Sequence, residues 1–187
     1  MKKILLIAAT ALLTVSAFAQ QKFAHVNFAE LIQLCPEADE ARATINAASN
    51  EAQETYQSMV DEFNTKMQQY QSKASTWSTS IRESKEKELT EIQQRIQEFE
   101  QSVQMELQQK QQSLMTPIQE KAQEVVNKIA KAAGYIYVFD LGTALYIDET
   151  QSVNITPEAR KAMNIPDDKT LESLYAELQA QQAAPQQ

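Results

Sequence analysis

Glycine is almost missing from this chain: Gly134 and Gly142 are its only two, and none precedes them. A glycine-rich phosphate loop is therefore excluded from the first 133 residues. Proline is also sparse, with none between Pro36 and Pro117, so no residue there forces a helix to stop. Cys35 is the one cysteine, which rules out a disulfide within the chain. It is either a small buried apolar residue or a partner for a second chain. His25 is the one histidine, with no cysteine or carboxylate at ligand spacing. That points to a packed or partly exposed strand residue and away from a zinc site. No Ser-His-Asp or Cys-His set can be assembled, and no carboxylates pair outside solvated helix faces. No metal, no cofactor and no enzymatic activity is expected. Basic residues are in deficit, 17 Lys and Arg against 25 Asp and Glu, a net charge of −8. A chain of that sign is a poor partner for nucleic acid, and anionic lipid is not expected as its main partner.

Long apolar runs are absent after the first twenty residues. At the start, Met1-Lys2-Lys3 is basic, Ile4 to Ala19 is apolar, and Ala17-Phe18-Ala19 fits a small-residue cleavage site. The run is short for a bilayer span of about 20 residues. It predicts a signal peptide over 1–19, cleaved after Ala19, and export to a bacterial periplasm. Removing Lys2 and Lys3 takes the charge from −8 to −10.

What is present is helix. From Glu37 the residues are mainly Ala, Glu, Gln, Lys, Met and Leu, which lose little rotamer freedom in a helix. Apolar positions recur at Ile45, Ala48, Ala52, Tyr56, Met59, Phe63, Met67, Tyr70 and Ala74, in steps of three and four. That is an eleven-residue pattern, so the stripe runs nearly straight. A second stripe follows: Leu89, Ile92, Ile96, Phe99, Val103, Leu107, Leu114, Ile118, Ala122, Val125 and Ile129. Between them, Ser75-Thr-Trp-Ser-Thr-Ser80 is the one cluster of weak helix formers. Ser80-Ile-Arg-Glu83 reads as a capping box. The chain should turn near Ser78 into an antiparallel hairpin over 37–133, pairing residues whose numbers total about 157. Pro117 would then sit at the hairpin's base and kink it there. Tyr56, Met59, Phe63, Met67 and Tyr70 have two readings, as seam residues or as a contact surface for apolar clients. Trp77, at the apex, reads as an exposed indole able to touch a client or, transiently, a membrane surface.

Strands occur only at the two ends. Lys22 to Asn27 supplies one, with Asn27 and Glu30 able to cap a short helix. Gly134 ends the long helix, Tyr135 to Leu141 forms a second strand, and Gly142-Thr143 turns the chain so that Leu145-Tyr-Ile147 returns beside it. Thr156-Pro157-Glu158 opens a short helix. The β body, 20–36 with 134–166, has only about 45 core residues, from Phe23 to Cys35 and Gly134 to Ile165. A core so small rarely holds without a disulfide, a metal or association, and its strands are apolar on both faces. Association is what remains. The segment 167–187 reads as an extra helix, with Leu171, Leu174, Tyr175 and Leu178 at helical spacing, ending in a disordered tail. The fold class is α+β, mainly α.

Lys22-Phe-Ala-His-Val-Asn27, the long Gln/Glu/Lys hairpin, Gly134-Tyr-Ile-Tyr-Val-Phe-Asp140, Leu145-Tyr146 and Asn154-Ile-Thr156 together resemble the Skp/OmpH family of periplasmic chaperones. The resemblance runs from about Lys22 to Ile165. It implies a homotrimer whose β bodies share one barrel, with coiled-coil tentacles protruding around a cavity. That cavity holds unfolded outer-membrane proteins, without ATP, before membrane insertion. Val26, Tyr135, Ile136, Tyr137, Val138 and Phe139 become candidates for the trimer core. The competing reading is a structural spacer whose hairpin docks an envelope partner. The family's best-known members have cationic tentacles, whereas this chain keeps a positive sign only near the tip. From Asn64 to Thr90, five Lys and Arg face three Glu, with Lys85 and Lys87 the candidate client-binding cations.

Overall fold

The computed structural model describes residues 22–183. The expected signal peptide, its cleavage point and the tail beyond residue 183 lie outside the described residues. In chain order the elements are β1 (Phe23–Val26), α1 (Phe28–Leu34), α2 (Pro36–Lys73), a 3-10 turn (Ala74–Thr76), α3 (Thr79–Ala133), β2 (Tyr137–Asp140), β3 (Ser152–Asn154), α4 (Thr156–Ala162) and α5 (Leu171–Ala183). The fold is α+β and mainly helical. The described residues divide into two compact units: Pro36–Glu120, and 22–35 together with 121–183.

In the second of these, β1 is the middle of three strands, in the order β2-β1-β3, and both neighbours run parallel to it. Phe23 is in register with Tyr137 and Ser152, and His25 with Phe139 and Asn154. The return strand expected at Leu145-Tyr-Ile147 does not form. Those residues belong instead to a crossover that carries the chain over β1 to β3, as parallel pairing requires.

Asp140 gives the physical reason. Its Oδ1 accepts from the Gly142 and Phe28 amides, both at 3.2 Å. Its carbonyl accepts from the Thr143 and Ala144 amides, also at 3.2 Å. The strand end is thus tied to the start of α1, and the chain turns away before a hairpin can close. The crossover lies over the face carrying Phe23 and Phe139, where Ala144, Tyr146 and Ile147 help to line a hollow of about 290 Å³. His25 is a packed strand residue, 2% exposed, with Nδ1 2.9 Å from Ser152 Oγ, which links β1 to β3.

Ala24 and Val26, on the other face of β1, are buried, as are Leu31, Leu34, Ala159, Met163 and Leu174. Cys35 is fully buried too. Each large side chain removed from water here contributes about 1.5–3 kcal/mol. Asn27 caps α1 by accepting from the Glu30 amide at 3.2 Å, while its Nδ2 donates to Glu30 Oε1 at 2.9 Å. The Asn27 amide itself donates to Thr156 Oγ1 at 2.9 Å, so the cap also ties α1 to α4. Arg160 donates to Glu30 at 2.5 Å and to the Pro166 and Lys169 carbonyls at 2.7 Å. Lys169 Nζ donates to the Leu34 carbonyl at 3.1 Å. These bonds fasten the segment leading into α5 against α1. Gly134 has φ +71°, the left-handed conformation that glycine tolerates best. There the Tyr135 amide donates back to the Ala130 carbonyl at 3.0 Å.

The Pro36–Glu120 unit is a two-helix antiparallel hairpin. Its α2 has 38 residues, roughly 57 Å at 1.5 Å per residue. Cross-helix pairs Glu62–Arg95, Lys66–Glu88 and Tyr70–Glu86 have numbers totalling 154–157, close to the expected register. Apolar positions from Ile45 to Ala74 in the first stripe are all half-buried, and Leu89, Ile92 and Ile118 in the second are buried. The cap of α3 is Ser78 and not Ser80. Ser78 Oγ accepts from the Ile81 amide at 3.4 Å and its carbonyl from the Arg82 amide at 3.0 Å, so α3 begins at Thr79 and Ser80 lies inside it. Pro117 also lies inside α3, where it offers no amide proton to the carbonyl four residues back.

Candidate functional site

Two surfaces leave large apolar side chains partly open, one in each unit. The first is the sheet face on which Phe23, Tyr137 and Phe139 meet. Phe23 and Tyr137 stack at 6.2 Å and 10°. Phe139 completes the cluster at 6.4 Å from Phe23 and 6.1 Å from Tyr137. Parallel register puts these rings side by side, because Phe23 and Tyr137 are aligned partners and Phe139 follows two residues along. Tyr137 remains 61% exposed and Phe139 48%. Ile136 is also exposed, and Tyr135 and Val138 are half-buried. Val26 differs from the other expected core residues, since its own chain already buries it. Sequence reasoning missed Leu145 and Tyr146 as members of this surface. They stand 106% and 82% exposed on the crossover, and Tyr146 lines the hollow with Phe23 and Phe139. The available signal was an apolar Leu-Tyr-Ile run with no other element to cover it. Large apolar side chains left this exposed are the kind of surface that interaction sites use.

The second surface is the hairpin. Tyr56, Met59, Phe63, Met67 and Tyr70 are all half-buried in the seam, each leaving part of its side chain at the surface. The Tyr56 hydroxyl bonds the Glu100 carboxylate, and the Tyr70 hydroxyl donates to Glu86. Each bond holds the phenol above its ordinary pKa. Trp77 is half-buried and not a freely standing indole: its ring meets that of Tyr70 edge-on, at 6.0 Å and 64°. The tip lysines are ion-paired. Lys85 Nζ lies 2.7 Å from Glu88, which also accepts from Lys66, and Lys87 Nζ lies 3.6 Å from Glu91. The bonds from Lys66 and then Lys85 lower the Glu88 pKa to about 2, and the same contact raises that of Lys66. Much of the tip's positive charge is therefore directed at its own carboxylates.

Sequence reasoning also passed over the middle of the seam. Ala48 and Ala52 lie there opposite Phe99, Val103 and Leu107, and hollows open on both sides. Two small residues in the first stripe, set at the register of a large-residue run in the second, carried that signal.

Among the described residues, no helix is long and apolar enough to cross a membrane. No group of three or more His, Cys, Asp or Glu among them could hold a metal ion. A family model described as Outer membrane protein (OmpH-like) matches residues 22–163, and the chain belongs to that family. Its proteins are periplasmic chaperones of outer-membrane proteins and not enzymes. No curated protein matches the chain. The matched region stops at Met163, so α5 lies beyond it.

Proposed function

We propose that this chain is an ATP-independent periplasmic holdase. It is exported, cleaved after Ala19, and assembles as a homotrimer through its β bodies, 20–36 with 134–166. The hairpins, 37–133, act together on one unfolded outer-membrane protein and keep it from aggregating until insertion. The observation that carries this reading is the aromatic sheet face, exposed in a single chain that also carries a long hairpin with apolar side chains along its surface. Covering Tyr137, Phe139, Leu145 and Tyr146 requires another chain, and a second copy brings the same apolar chemistry. Edge strands β2 and β3 each keep one side open for further pairing.

Client retention then depends on many weak apolar contacts. Tyr56, Met59, Phe63 and Met67 each give a partial contact. Several hairpins on one client raise the effective concentration of all of them. Trp77 and the paired lysines Lys85 and Lys87 lie where a client or a membrane surface is first met.

The test is dilution of a urea-unfolded outer-membrane porin into buffer with and without the protein. Suppressed light scattering, with unrelated β-barrel proteins protected as well, is the expected result. Protection of no porin, together with binding of a single envelope protein at fixed stoichiometry, would make the chain a spacer.

A further inference from the structure

At mid-length the hairpin seam is underfilled. Ala48 and Ala52 on α2 offer only methyl groups to Phe99, Val103 and Leu107 on α3. A hollow of about 180 Å³ opens on one side of that floor and one of about 400 Å³ on the other. Ala52, Phe99, Val103 and Leu107 border both. The rims are acidic: Glu51 and Glu106 edge the smaller hollow, which Lys110 also borders, and Glu100 edges the larger. All three carboxylates are exposed. The shaft around them, 36–63 with 91–120, holds twelve Asp and Glu against three Lys and Arg. Two of those three cations, Arg42 and Arg95, are paired with Asp39 and Glu62.

An apolar floor inside a negative rim suits one kind of occupant. The floor takes an aliphatic or aromatic side chain, gaining the free energy of removing it from water. The rim favours a lysine or arginine next to that side chain and attracts it over about a Debye length. We propose that these mid-hairpin grooves bind extended, unfolded segments in which apolar residues are flanked by lysine or arginine, so that clients are selected for positive charge. The inference rests on the chaperone reading and adds the class of client.

The experiment uses two fluorescein-labelled, unstructured peptides of about 20 residues, long enough to span several turns of the hairpin. They share the same Leu, Val and Ser positions, with Lys in one and Glu in the other. Anisotropy titration in about 20 mM salt should show the Lys peptide binding roughly tenfold or more tightly. That preference should collapse near 0.5 M, where the Debye length falls well below about 10 Å. The triple variant Glu51→Gln, Glu100→Gln, Glu106→Gln should lose most of the preference and keep the salt-insensitive part. Ala52→Leu retains helix propensity and fills the floor. It should weaken the Lys peptide several-fold at both salts, with melting temperature and assembly mass unchanged.

Equal binding of the twin peptides, tighter binding of the Glu peptide, or an inert Ala52→Leu would each overturn the proposal. So would a change in assembly mass on Ala52→Leu, which would mean that another copy fills the groove. The porin assay separates the two levels. Intact protection without a charge preference removes only the groove inference, whereas absent protection removes the chaperone reading beneath it.

Discussion

Along α2 and into the turn after it, the apolar stripe from Ile45 to Ala74 is half-buried at every position. On the aromatic face of the sheet, Tyr137 and Phe139 stay about half exposed, and on the crossover Leu145 lies fully open. The segment 135–147 is richer in apolar side chains than 45–74 and yet more exposed, so composition does not explain the contrast. Topology does. An antiparallel helix pair turns each stripe toward the other, and the turn at Ser78 is enough to bring them together. A three-stranded parallel sheet has two faces and two edges, and helices cover one face. The hairpin therefore turns its stripes toward each other within one chain, whereas the sheet leaves an apolar face open.

The strongest way to break that contrast is Phe139→Asp. A charge on the aromatic face should weaken assembly about 100-fold or more, as loss of a central interface residue does. Sedimentation should then find monomer, while helical circular dichroism from the hairpin stays near the wild-type value. A variant that keeps its mass would show that this face is not an interface.

Next in size is the seam. Ile92 is 2% exposed, and Ile92→Ala should cost about 2–4 kcal/mol of local stability. Hydrogen exchange should quicken around residues 62–95 and leave β1 unchanged. Equal loosening of both regions would mean that the two units fold as one.

A third measurement uses pH. Glu88 titrates near 2 when folded, below its ordinary value of 4.5. Its pairing with Lys66 and Lys85 therefore stabilises the tip fully above about pH 4.5. That contribution is lost as pH falls toward 2. Glu88→Gln should remove it at neutral pH and flatten the dependence of tip exchange rates between pH 5 and 2. The sheet contains no part of this contact and should not respond to the substitution. Smallest of all, Trp77→Ala removes the edge contact with Tyr70 and should cost about 0.5–1.5 kcal/mol, seen as faster fraying of the ends of α2 and α3 alone.

The hairpin was legible in the sequence because its signal is local and repeated. Steps of three and four along Ile45, Ala48, Ala52 and Tyr56 fix a face, and a cluster of weak helix formers fixes the turn. The cap was misplaced by two residues because Ser78 and Ser80 offer the same hydroxyl, and only backbone direction separates them. The sheet was legible in its strands β1 and β2 but not in its connections. Leu145-Tyr-Ile147 has the composition of a strand, and nothing local reveals that Asp140 is bonded to the Phe28 amide from across the chain. The aromatic face was half legible: Tyr137 and Phe139 alternate correctly, but the place of Phe23 beside them depends on a parallel register. The ion pairs of Lys85 and Lys87 were open to (i, i+3) and (i, i+4) reasoning, whereas that of Lys66 required the hairpin register.

The order of strands also sets an order of events. Phe23 pairs with Tyr137 and Ser152, so the central strand precedes either neighbour by more than a hundred residues. The hairpin contacts, from Tyr56–Glu100 to Tyr70–Glu86, close within a much shorter stretch and can form before the sheet does. Loops that large close slowly compared with local helix pairing. During refolding, pulse-labelled amides of α2 should therefore gain protection before those of β1, and simultaneous protection would contradict this sequence of steps. A chain cut short before Tyr137 would carry most of the hairpin and no sheet. It would keep the surface proposed to meet clients and lack the aromatic face proposed for assembly, so that only a finished molecule could be counted into the proposed trimer.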